Sequence, residues 1–64
     1  MTLWTLTVVD GREVHTTVHP TREGAINCFA DNYDPEGEFP RTPSGVMAAA
    51  DAQGLRIDIT ERPL

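Results

Sequence analysis

Residues 3–18 read Leu3-Trp4-Thr5-Leu6-Thr7-Val8-Val9-Asp10-Gly11-Arg12-Glu13-Val14-His15-Thr16-Thr17-Val18. Two runs rich in Val and Thr flank an Asp-Gly step, a strong short-range signal for a β-hairpin. In the first run Trp4, Leu6 and Val8 share one face, with Thr5, Thr7 and Val9 on the other. In the second, Val14, Thr16 and Val18 lie opposite Glu13, His15 and Thr17.

Loop parity decides which faces meet. A two-residue loop at Asp10-Gly11 pairs Val8 with Glu13 and Leu6 with His15. That sets a carboxylate and an imidazole on the face of Trp4. A three-residue loop changes the parity. With Val9-Asp10-Gly11 as the loop, Leu6 faces Val14; with Asp10-Gly11-Arg12, Val8 faces Val14. Burial selects the register that places apolar against apolar, because a one-residue slip turns a strand inside out. The expectation is therefore an odd loop with Gly11 or Arg12 in the left-handed region, and both histidines on the outer face.

Working outward, His19-Pro20 ends the second strand and Thr21 is a helix N-cap. Arg22 to Tyr33 follows as a helix with Ala25, Ile26, Phe29, Ala30 and Tyr33 on one stripe. Asp34-Pro35 stops it. Residues 34–42 carry Pro35, Gly37 and Pro40 without periodicity and read as loop, with Phe39 anchoring them to the core. Thr42-Pro43 opens a second helix, Pro43 to Gln53, with Val46, Met47 and Ala50 inward and Gly54 at its C-terminal cap. Leu55 to Glu61 alternates cleanly as a third strand, and Arg62-Pro63-Leu64 reads as a frayed tail.

The fold class is α+β in the order β-β-α-α-β: a three-stranded, mainly antiparallel sheet with two helices packed on one face. The third strand is expected beside the first, the most apolar of the three. Its direction is left open. The expected buried cluster is Trp4, Leu6, Val14, Ile26, Phe29, Leu55, Ile57 and Ile59.

At 64 residues the chain is a single domain, 1–64, and its small core predicts marginal stability. One cysteine excludes an intramolecular disulfide, and no Cys/His cluster supplies a structural metal. The longest apolar run, Val46 to Ala50, is too short for a membrane span. No signal peptide is recognisable, and a lone thiol makes the cytoplasm the expected location. A net charge of −5 argues against direct nucleic-acid binding, which needs Lys and Arg to displace counterions. All five bases are Arg, scattered along the chain without forming a patch, as the codon usage of a GC-rich genome would give.

Little catalytic chemistry is on offer. Cys28 with His15 or His19 is the one nucleophile-and-base combination. In the odd-loop register the sheet separates them, because Cys28 falls away from the helix stripe and the histidines face outward. As metal ligands, His15 and His19 would stand about 13 Å apart along a strand, too far to share one zinc. No catalytic residue, metal site or cofactor is therefore expected. Asp31, Asp34, Glu36 and Glu38 form an acidic run without EF-hand spacing. The run reads as a solvated loop, as a weak cation site or as a contact surface; with Phe39 beside them these are the candidate partner-binding residues, one apolar anchor ringed by charge, facing a host protein with a basic surface.

The segments Trp4 to Val9, Asp10-Gly11, Val14 to Val18 and Thr21-Arg22-Glu23 are similar to those of small ββα-type proteins of actinobacteria and their phages. The likeness covers residues 1–33. It implies no activity and carries no functional residues. It implies a small open reading frame of a phage or mobile element, whose products often bind and block a host protein. The expected function is thus a small non-enzymatic protein-binding module, a phage- or element-encoded modulator or inhibitor of a host protein. One version is an acidic decoy of a nucleic-acid-binding surface. The alternative is a self-associating structural or accessory domain, a homodimer joined through its Thr-rich outer sheet face or an open strand edge.

Overall fold

The computed structural model describes residues 1–64 and contains five elements: β1 (Thr2–Asp10), β2 (Glu13–His19), α1 (Arg22–Tyr33), α2 (Pro43–Ala52) and β3 (Arg56–Pro63). The sheet order is β2-β1-β3, with both pairings antiparallel. The α+β class and the element order are those read from the sequence. So is the central position of β1, and the direction of β3 is now fixed.

Both helix starts follow from their caps. Thr21 Oγ1 accepts the Gly24 amide at 3.0 Å, and Thr42 Oγ1 accepts that of Gly45 at 3.0 Å, with Pro43 in the first turn. The end of α2 is a Schellman motif. Gly54 takes φ +71°, its amide donates to the Asp51 carbonyl at 3.1 Å, and the Leu55 amide donates to that of Ala50 at 2.8 Å.

The core lies between one face of the sheet and the helices. Leu6 and Val8 come from β1, Ala25, Ile26 and Phe29 from α1, and Val46, Ala49 and Ala50 from α2. Leu55, Ile57 and Ile59 pack against this cluster half-buried. Phe29 is fully buried at its centre, with its ring stacked on Tyr33 at a centroid distance of 4.9 Å. Gly45 marks a close approach: a Cβ there would overlap the Pro40 carbonyl oxygen, so the loop lies directly on α2.

Three expectations outside the hairpin need correction. Met47 is exposed and Ala49 takes its place, because 46, 49 and 50 form the helical stripe that meets the core. Trp4 is half-buried instead of central, with the Arg22 guanidinium 5.9 Å from its ring centroid. The C-terminal tail is not frayed. β3 runs on to Pro63, opposite Thr2, and the Leu64 amide donates to the Met1 carbonyl at 3.0 Å.

The largest correction concerns the hairpin. Asp10 pairs with Glu13, so the loop is the two-residue Gly11-Arg12. Gly11 has φ +61° and no other residue type has positive φ, so only the first loop position is left-handed, as in a II′-type turn. An even loop sets Val8 opposite His15, Leu6 opposite Thr17 and Trp4 opposite His19. The histidines therefore share the helix-side face. Val14, Thr16 and Val18 join Thr5, Thr7 and Val9 on the outer face, where Val14 is 62% and Val18 54% exposed. Val14 is thus not a core residue. The physical reason is coverage. His15 and Thr17 remain exposed even on the inner face, at the margin of the helix layer, so burial exerts little selection on β2 and the turn sets the register.

Candidate functional site

The acidic segment is built around Asp34. As the residue capping α1, it donates its amide to the Ala30 carbonyl at 2.8 Å and accepts the Gly37 amide on its own carbonyl at 3.1 Å. Gly37, with φ +71°, lets the chain reverse. The Asp34 carboxylate then accepts two further amides, Glu38 on Oδ1 and Phe39 on Oδ2, each at 2.9 Å. It is buried, at 7% exposure, and its oxygens are taken up inside the loop.

The far side of the loop is pinned by Arg41. Its guanidinium donates to Asn27 Oδ1 at 2.9 Å and to Asp31 Oδ1 at 2.7 Å, both on α1. Phe39 packs half-buried against the core, as its position in the sequence implied. Of the five candidate partner residues, then, Asp34 braces the loop, Phe39 anchors it and Asp31 is paired with a cation. The side chains of Glu36 and Glu38 remain exposed with no partner within the chain. A shallow depression of about 360 Å³ runs beside them, with Tyr33, Pro35, Phe39, Ala52 and Gln53 on its walls.

The even hairpin loop also builds a second feature. Because β2 turns His15, Thr17 and His19 inward, they face the flank of α1 that carries Cys28 and Asn32. The result is a groove of about 390 Å³ floored by Leu6, Val8 and Phe29. The sheet does not separate Cys28 from the histidines, contrary to expectation. Thr17 Oγ1 lies 2.7 Å from His19 Nε2 and 4.0 Å from Cys28 Sγ. Asn32 Nδ2 donates to the Cys28 carbonyl at 2.8 Å and lies 3.7 Å from the sulfur. A nucleophile-and-base pair needs direct contact at hydrogen-bond distance, and here a threonine hydroxyl stands between the imidazole and the thiol. His15 is turned toward Glu13, with Nε2 3.3 Å from its Oε2. No trio of His, Cys, Asp or Glu is placed to hold a metal ion. No helix is long and apolar enough to cross a membrane.

No family model, curated protein or solved structure matches the chain.

Proposed function

We propose that the protein is a small non-enzymatic binding module that meets a protein partner through the loop between its two helices. The observation that carries this reading is the bracing of Glu36 and Glu38. Asp34 fixes the amides of Glu38 and Phe39, Arg41 ties the loop's end to α1, and Phe39 seats it on the core. A loop held in one shape loses little freedom on binding, and exposed carboxylates on it favour a partner with a basic surface. The wider form of the reading is a cytoplasmic modulator or inhibitor of a host protein, encoded by a phage or mobile element. An acidic decoy that occupies a nucleic-acid-binding surface is one version of it.

The test uses two baits on a bacterial lysate, the parent and Glu36→Gln/Glu38→Gln. Asp34 is left intact so that the loop keeps its shape. The expected result is a partner captured by the parent whose association with the variant is slower and less sensitive to salt. A partner that associates with both baits at one rate across salt concentrations would make this loop a solvated connector.

A further inference from the structure

We infer that the outer face of the sheet is an interface between two copies of this chain, packed sheet on sheet about a two-fold axis. The face presents the β-branched side chains of β1 and β2, with Val14 62% and Val18 54% exposed, and the helices all lie on the opposite side. On β2 the more apolar set, Val14, Thr16 and Val18, points outward, while His15, Thr17 and His19 point toward the helices. A strand that turns its apolar side away from its own core is patterned for a second layer.

The spacing of Asp58 and Arg62 about Thr60 suits a second copy of the chain as the occupant. The charged side chains that β3 adds to this face are Arg56, Asp58 and Arg62, one net positive charge on a chain whose total is −5. The acids that would repel a copy lie elsewhere. Thr5 stands between Val18 and Thr60 in the ladder, with Thr7–Asp58 and Leu3–Arg62 as the outward-facing rows on either side. A two-fold axis crossing the strands at the Thr5 row brings Asp58 of one copy opposite Arg62 of the other, with Val18 against Val18. Strand spacing and rise give the face a footprint of about 14 by 25 Å. With side-chain relief, a pair would bury roughly 1,000 Å² in total, the lower end for a specific interface, so the dimer should be weak and reversible. The edges are poorer candidates. The outer edge of β3 ends in Pro63, which has no N–H to donate, and carries charges along its length.

Sedimentation of the parent from low micromolar to near-millimolar concentration should show a monomer–dimer equilibrium. Val18→Lys should weaken it by about tenfold or more, as loss of a central contact does. Asp58→Arg and Arg62→Asp should each weaken it, and the double swap should restore it. Intermolecular NOEs in half-labelled parent protein should join the Val18 methyls to the partner's Val18 and Thr5, which needs no variant to fold. A monomer at every concentration overturns the inference. So does a dimer whose NOEs lie along a strand edge, a dimer indifferent to Val18→Lys, or a different protein seated on this face in place of a second copy.

Discussion

The carboxylate of Asp34 holds the backbone of Phe39, five residues further on, by accepting its amide at 2.9 Å. This bond and its twin to Glu38 give the loop its shape from inside. Both are charge-assisted and partly buried, a setting in which each contributes about 1.5–3 kcal/mol. Asp34→Ala should therefore cost about 2–4 kcal/mol in urea denaturation and deprotect the Glu38 and Phe39 amides in hydrogen exchange. Asp34→Asn should also destabilise, because one side of its carboxamide would point a donor at a donor. A variant that melts with the parent would mean the loop is held by Phe39 alone.

Phe29 is the central side chain of the core, fully buried and stacked on Tyr33. Phe29→Ala should cost about 3–5 kcal/mol. In so small a domain that is most of the folding free energy, so the variant should be largely unfolded by circular dichroism at room temperature. Full native ellipticity would show that the core tolerates the cavity.

Gly45 should not accept a side chain. The Pro40 carbonyl occupies the space a methyl group would need, and it is backbone, not the tip of a flexible side chain that could swing away. Gly45→Ala should destabilise by about 1–3 kcal/mol despite the higher helix propensity of alanine. A rise in melting temperature would mean that the loop shifts off α2 at little cost.

Val14 tests the hairpin parity directly. With 62% of its surface exposed, Val14→Thr should change stability by less than about 0.5 kcal/mol in dilute solution. A loss of several times that would place Val14 inside and restore the odd loop.

Much of the fold is legible in local chemistry. Thr21, Thr42-Pro43 and Gly54 each mark a helix end through a single hydrogen-bonding or dihedral requirement, and each does so in the structure. The α1 stripe and the place of β3 beside β1 follow from periodicity and hydrophobicity in the same way. The hairpin register is harder to read because two requirements compete. Facing Val8 with Val14 satisfies burial, whereas Gly11 placed first in a two-residue loop satisfies the turn, and on an edge strand the turn prevails. That choice carries the site with it. The groove lined by His15, Thr17 and Cys28 exists only in the even register, so reasoning from the odd one misses it. The acidic run is visible in sequence, but its division of labour is not. Nothing in the order of residues distinguishes Asp34, which faces its own backbone, from Glu36, which faces solvent.

The Gly11-Arg12 turn makes this chain unusually sensitive to insertion and deletion. Elsewhere on a surface an added residue bulges out and is tolerated. One residue added directly after Arg12, with the two-residue turn kept, would exchange the two sides of β2, turning Val14, Thr16 and Val18 toward the helices and His15, Thr17 and His19 outward. His15 and Thr17 would leave the groove, and the outer face of β2 would turn polar. A single codon separates a domain that presents its β-branched β2 side outward from one that turns it toward its own helices, so descendants of this sequence could lose or acquire that surface in one step without inventing a new fold.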